Sequence, residues 1–333
     1  MIKAENYSLK EYNTFGFPAK ANLFFEYDSV DQLKTFLRSA KGPFFHIGAG
    51  SNILFYKDFE GTVLHSAIGG IDVVKENSDY VLVRAGAGIL MDDFVEYSVN
   101  HGYWGAENLS HIPGQVGASA VQNVGAYGVE AKDIIETVEA VDIRTLETRV
   151  FSNAECRFAY RFSAFKDEFK DRYAITHVTF RLGKKPNPIL TNNALKQLFS
   201  DAKTLSLKEI RTAIVEIRDK KLPKVTELGS AGSFFKNPIV GKDVVDTLVK
   251  KYPSMPYFSA EKGLFKLSAG WLLETAGWRG YREGNVGVYD KHALILVHYG
   301  NGSGVEILSL VEKIQTSVMD KFGIGLEPEV IFV

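Results

Sequence analysis

The glycines of this chain are unevenly placed, and their placement limits what it can fold into. Thirteen of the 30 lie in residues 48–128, one (Gly183) in 129–228, and 12 in 229–304. Two turn-rich zones therefore flank a middle stretch of regular helix and strand. In the first zone, His46-Ile-Gly-Ala-Gly-Ser-Asn-Ile-Leu-Phe55 reads as a strand running into a backbone nest, whose N–H groups converge on an anion. Gly48 and Gly50 permit the positive φ values of such a turn. A tight turn with no ligand accounts for the same residues equally well. Ile53 stands where GxGxxG needs glycine, and no Gly-Lys-Ser/Thr follows, so neither a Rossmann fingerprint nor a P-loop is present.

A longer segment, Gly105 to Gly128, is built almost entirely of small residues, amides and hydroxyls from Gly114 onward. A backbone pressed against a large flat ligand needs such residues. Close packing between two domains is the competing explanation. Gln122 and Asn123 offer hydrogen bonds to ring edges, and Ser119 offers one to phosphate. Together the two segments suggest a dinucleotide held outside the Rossmann class.

Helices are expected from Ser29-Val-Asp-Gln32, a capping box leading Leu33, Phe36, Leu37 and Ala40, and from Met91 to His101. Others are expected after Ser206, across Val244–Tyr252, and from Ser303-Gly-Val-Glu306 to Gly323. Strands are expected at 44–47, 80–84, 136–144, 174–182 and 293–297. The mixed order predicts an α+β protein of several small domains, with a boundary near Lys184-Lys-Pro-Asn-Pro188. The formal charge of −1 argues against a dedicated nucleic-acid binder. Cys156, the single cysteine, builds neither a disulfide nor a cysteine zinc site, and no histidine spacing suggests a metal. No signal peptide and no ~20-residue apolar run are visible, so a cytoplasmic protein free of the membrane is expected.

Several motifs then converge. Ile112-Pro-Gly-x-x-Gly-Ala-Ser, Gln122-Asn-x-Gly-Ala-Tyr-Gly-x-Glu130, Asn13-Thr-Phe-Gly16 and Gly48-Ala-Gly-Ser-Asn52 come in one order with Tyr160-Arg161, Gly232-Ser-Phe-Phe-Lys-Asn-Pro238 and Leu326-Glu-Pro-Glu-Val330. This series, spanning residues 13 to 330, resembles the bacterial UDP-N-acetylenolpyruvoylglucosamine reductases (UDP-N-acetylmuramate dehydrogenases). The resemblance implies a vanillyl-alcohol-oxidase (PCMH) type FAD-binding domain followed by a smaller α+β substrate-binding domain. The corresponding division is 1–66 and 67–184 for two FAD-binding subdomains and 185–333 for the substrate domain, with about 323–333 returning to the active site. It implies tightly but non-covalently bound FAD, NADPH as co-substrate, and UDP-N-acetylglucosamine enolpyruvate as substrate. The implied role is peptidoglycan synthesis, hence cell wall biogenesis, cell shape and division. A monomer is expected.

The same resemblance assigns residues. FAD falls to Ile47, Gly48, Ala49, Gly50, Ser51 and Asn52, to Ile112, Pro113 and Gly114, to Gly117, Ala118 and Ser119, to Gln122 and Asn123, and to Gly125, Ala126, Tyr127 and Gly128. Catalysis falls to Arg161, Ser233 and Glu329. Hydride addition to an enol ether conjugated to a carboxylate leaves an enediolate-like anion, which needs a cation and then a proton. Arg161 supplies a permanent charge; by its surroundings alone it reads equally as a structural arginine. Ser233 would be the proton donor and Glu329 its acidic or electrostatic assistant, although a turn serine and an exposed terminal carboxylate are the plainer readings of those positions. Substrate binding falls to Tyr160, Arg218, Lys221, Asn237, Tyr257, Lys266 and His292. One departure stands out. The family's mobile-loop tyrosine has no counterpart; its place reads Leu190-Thr-Asn-Asn-Ala194, with Asn192 nearest.

Overall fold

The computed structural model describes residues 2–202 and 204–333. They form two compact units. The first comprises Met1–Tyr7, Ala21–Ala49 and Phe59–Lys220; the second comprises Ser8–Lys20, Gly50–Asp58 and Lys221–Val333.

The first unit is built on two sheets. One has the order Ile2–Ser8, Lys20–Tyr27, Phe59–Ser66, Phe44–Ile47. Its inner pairs, 20–27 with 59–66 and 44–47 with 59–66, are parallel. The helix Val30–Leu37 carries the chain from 20–27 to 44–47, the two parallel strands that flank 59–66. Ser29 caps that helix by accepting from the Gln32 N–H, but the Gln32 side chain reaches back to the Asp28 N–H, so the expected reciprocal box is not closed. Leu33 and Leu37 bury against Phe25, Tyr27 and Leu64. The second sheet is antiparallel throughout: Thr148–Ser152, Ile135–Asp142, Tyr173–Gly183, Tyr80–Gly86, Ile71–Glu76. Its buried face (Val81, Val83, Val138, Val178, Phe180) packs under the helices Met91–Asn100, Val116–Gln122 and Leu207–Lys221.

The second unit holds a four-stranded sheet in the order Gly229–Ser233, Ile295–His298, Val286–Val288, Arg282–Glu283. The long helix Gly304–Phe322 lays Ile307, Leu310, Val311, Ile314 and Val318 into its core. Its start at Ser303 is closed by a capping box with Glu306, and Gly323 ends it at φ +67°. A three-stranded sheet (Ile239–Val240, Phe265–Leu267, Tyr257–Ser259) and the pair Ile53–Leu54 with Ile331–Phe332 complete the unit.

These units are not drawn along the three segments expected from sequence. Residues 185–220 pack with the first unit, because Leu195, Leu207, Ile210 and Ile214 lie in its core. Segments 8–20 and 50–58 join the second. Among the described residues, no helix is long and apolar enough to cross a membrane.

Candidate active site

The two glycine segments are shaped by close approach. Gly50 has φ +62°, and a Cβ there would meet the Tyr12 carbonyl oxygen at 2.0 Å, so only glycine fits. The main-chain N–H groups of Ala49, Gly50 and Ser51 meet no acceptor of the protein among the described residues. A run of donors left over in a turn after a strand suits a pyrophosphate. Gly117 lies against Ala87: its N–H donates to the Ala87 carbonyl at 3.0 Å, and an added Cβ would sit 2.9 Å from the Ala87 Cβ. Gly114 takes φ +112° while its carbonyl accepts from the Met91 N–H. Ile47 and Ile112 are buried, and Pro113 is exposed.

Not every expected ligand group is free to serve as one. The Ser119 hydroxyl is buried and donates to the Val116 carbonyl at 2.7 Å within its own helix. Asn123, fully buried at φ +47°, donates to Glu130 and to the Ala159 carbonyl and accepts from the Lys132 N–H. Its side chain shapes the turn from the inside. Gln122, Ala118, Gly125 and Ala126 are half-buried.

Within the first unit, two arginines attach to this segment. Arg161 lies in the left-handed region, φ +54°, and its Nη2 donates to the Gly125 carbonyl at 3.1 Å. Its guanidinium stands 5.6 Å from the Tyr160 ring centroid. Arg218, in the last turn of Leu207–Lys221, donates from Nε to the His111 carbonyl at 3.1 Å and interacts electrostatically with the Tyr127 phenol. Burial lowers the Arg218 pKa, and Tyr127 works against that. Burial also raises the Tyr127 phenol, with Arg218 opposing. Lys221 is exposed at the helix end. Asn108, which no sequence pattern marks, donates from Nδ2 to the Tyr127 and Ile189 carbonyls, each at 2.8 Å. A Cβ at Gly128 would meet the Thr191 hydroxyl at 2.0 Å, so residues 189–191 lie directly on the glycine-rich segment. Asn192, in the place of the family's loop tyrosine, caps the helix Asn193–Leu198 by accepting from the Ala194 N–H.

Within the second unit, Ser233 and Glu329 are neighbours despite their separation in sequence. Glu329 N–H donates to the Phe234 carbonyl at 2.8 Å, and Lys236 N–H donates to Glu327 at 2.9 Å. Phe235 and Pro328 form the bridge between the two stretches. Ser233 is exposed and Glu329 half-buried. Asn52 joins them: its Nδ2 donates to the Glu329 carbonyl at 3.2 Å, and its own carbonyl accepts from the Ile331 N–H. Asn237 accepts from the Ala269 N–H. His292 Nδ1 accepts from the Leu294 N–H in the turn that leads into the Ser233-paired strand. Lys266 pairs with Phe258 and Ile239, whereas Tyr257 pairs with Leu267, so Lys266 and Tyr257 fall on alternate faces of their small sheet.

The chain falls in the class of flavoproteins: an α+β FAD-binding domain is followed by a further C-terminal α+β domain. Residues 21–148 match the FAD binding domain model, and residues 224–333 match the UDP-N-acetylenolpyruvoylglucosamine reductase, C-terminal domain model. The chain is 44% identical over 331 residues to the UDP-N-acetylenolpyruvoylglucosamine reductase of Bacteroides fragilis YCH46, covering 99% of each. It is 44% identical over 336 residues to that of Porphyromonas gingivalis ATCC 33277, covering 99% of this chain and 98% of the relative. The crystal structure of the Thermus caldophilus reductase shares the fold at TM-score 0.71 and 24% identity, over 99% of both chains. The chain belongs to the UDP-N-acetylenolpyruvoylglucosamine reductase family.

Proposed function

We propose that this protein reduces the enolpyruvyl ether of UDP-N-acetylglucosamine enolpyruvate to UDP-N-acetylmuramate with NADPH, in peptidoglycan precursor synthesis in the cytoplasm. Such a role ties it to cell wall biogenesis, cell shape and division. The observation that carries the reading is the pairing of the terminal segment with the Ser233 strand through Glu329 N–H and the Phe234 carbonyl.

Residues 47–52 and 112–128 would hold FAD, which when bound supplies hydride, taken from NADPH, to the β-carbon of the enol ether. The chain's own residues do the rest. Arg161 keeps a permanent positive charge for the carboxylate on which the enediolate develops. Its backbone strain and its bond to Gly125 are consistent with a guanidinium held ready in advance. Ser233 gives its hydroxyl proton to the α-carbon. Serine is a very weak acid, so this transfer suits only an anion as basic as an enolate, and Glu329 assists beside it. Arg218 and Lys221 clamp the diphosphate, the first already stripped of part of its water. Tyr160, Asn237, Tyr257, Lys266 and His292 are assigned to the remaining substrate surface, and the protein to a monomer.

Ser233→Ala tests the reading. Reduction of bound flavin by NADPH should survive, while turnover of the enolpyruvyl sugar should fall by at least about 100-fold, the usual range for a lost general acid. Unchanged turnover would refute the role of Ser233. Oxygen uptake with no need for NADPH would point to an oxidase.

A further inference from the structure

A chain of polar side chains in the first unit ends at the Gly48 turn. Glu26 and His65 are direct partners across the parallel ladder, with Glu26 Oε2 3.1 Å from His65 Nδ1. The other ring nitrogen, Nε2, lies 3.3 Å from Gln115 Nε2. The same amide nitrogen is 3.3 Å from the Ser66 carbonyl and 3.0 Å from the Gly88 carbonyl. Two carbonyl acceptors settle which end of the amide carries the hydrogens. An NH2 group only donates. Its two hydrogens cannot serve all three contacts, but a hydrogen on His65 Nε2 would point straight at them, so Nε2 is the bare nitrogen and Nδ1–H donates to Glu26. The imidazole is neutral in a single tautomer. Burial favours that state by lowering the His65 pKa, against the pull of Glu26.

This arrangement aims the carbonyl end of Gln115. A Cβ built on Gly48 would stand 3.2 Å from Gln115 Oε1 and 3.4 Å from the Ala118 Cβ. Gln115 is only 7% exposed and is the residue before the helix Val116–Gln122, accepting from the Ser119 N–H. One side chain thus braces the Gly48 turn, the Gly88 turn and the start of that helix. In the sequence it fills a position of Ile-Pro-Gly-x-x-Gly that the motif leaves open.

We propose that Gln115 is a cofactor-positioning residue, whose amide is oriented by the Ser66 and Gly88 carbonyls together with the Glu26–His65 pair and fixes the spacing of the two FAD-binding segments. The proposal rests on residues 47–52 and 112–128 being the FAD cradle. Gln115→Met keeps the length of the side chain and removes its donors. Titration of the full-length protein with FAD should give a dissociation constant raised about tenfold or more, as expected for buried carbonyls left without donors. His65→Phe, which keeps the ring packed beside Phe24 (centroids 6.1 Å apart), should give a smaller rise. The double variant should bind FAD no worse than Gln115→Met alone, because His65 acts through Gln115. Equal affinity in wild type and Gln115→Met, or strictly additive losses, would overturn the proposal. Should Gln115→Met fail to fold, 15N spectra of the wild-type histidines at pH 7.5 decide. A neutral Nδ1–H His65, assigned by its loss in His65→Phe, supports the relay; an Nε2–H tautomer or an imidazolium overturns it. A wild-type chain that takes up no FAD overturns the cradle reading and this assignment together. FAD uptake with unchanged affinity in the variant removes only the role of Gln115.

Discussion

Asp92→Ala should loosen the helix that carries Arg218. Asp92 sits in the first turn of Met91–Asn100 and takes a fork from Arg211, with Nη1 at 2.5 Å and Nη2 at 3.0 Å. It also accepts the His111 N–H. His111 in turn holds φ +59°, offers its carbonyl to Arg218 Nε, and places its ring 3.1 Å from Asp219. The side chains of Arg211 and Asp92 are 16% and 29% exposed. Exposed pairs are worth about 0–1 kcal/mol and breaking a buried pair costs about 3–5 kcal/mol, so this half-buried fork should be worth roughly 2–3 kcal/mol. Urea unfolding followed by Trp104, buried in the same core, measures it. The pH dependence gives a second check. Burial pushes the Asp92 carboxyl up, but Arg211 and the His111 N–H outweigh that and hold it below its ordinary value. A carboxylate depressed in the folded state contributes stability above its unfolded pKa of about 4 and loses it as pH falls further. The gap between wild type and variant should be full at pH 7 and narrow below about pH 4. A Asp92→Ala/Arg211→Met cycle with coupling under about 0.5 kcal/mol, or a gap unchanged at pH 3, would refute this account.

Gly50→Ala forces a Cβ to within 2.0 Å of the Tyr12 carbonyl at φ +62°, so a lower melting temperature and FAD loss are expected, with stability down by at least about 2 kcal/mol. Tyr127→Phe removes the phenol that faces Arg218, and the KM for the UDP-sugar should rise several-fold, measured on the FAD-saturated enzyme. Burial of His46 lowers its pKa to about 4, against a weaker pull from Asp171. Because the unfolded chain takes up that proton first, this contribution is complete above pH ~6.5 and drains away as pH falls toward 4, by roughly 2–3 kcal/mol. His46→Phe should flatten that part of the pH–stability curve measured by urea titration.

Local patterns carried far in this chain. The Ser303/Glu306 box, the apolar stripe from Ile307 to Val318 and the closing Gly323 are all formed within one helix and needed only near neighbours. The strands at 44–47 and 80–84 fall where β-rich runs meet glycine turns. Partner choice was not legible in the same way. Nothing in the alternation of residues 20–27 and 59–66 says that they pair in parallel, or that segment 50–58 packs with residues 221–333 rather than with its flanks. The Ser233–Glu329 neighbourhood became readable only through family motifs, since each residue alone fits a bland role. The bonds that position the site, such as Arg211 to Asp92 and Asn108 to Ile189, join residues 119 and 81 apart and have no local signature.

Strain sharpens the point. A non-glycine residue at positive φ costs about 1–2 kcal/mol, and sequence gives no warning because glycine is the usual marker. Of the ten such residues among those described, four are His111, Asn123, Tyr127 and Arg161, all in the first unit and all on or against the glycine-rich segment. Asn123 and Arg161 are held by side-chain bonds that glycine could not replace, His111 and Tyr127 through their backbone groups. Asp92 and Arg218 fix the His111 backbone; Glu130, Ala159 and Lys132 saturate the Asn123 amide; Asn108 binds the Tyr127 carbonyl; Gly125 receives the Arg161 guanidinium. Glycine at these positions would relieve the strain but lose the side chains of Asn123, Tyr127 and Arg161 and, at His111, the ring 3.1 Å from Asp219. The strained conformations are therefore better explained by where they aim side chains than by the path of the chain, which is the pattern expected where a site is organised before its ligands arrive.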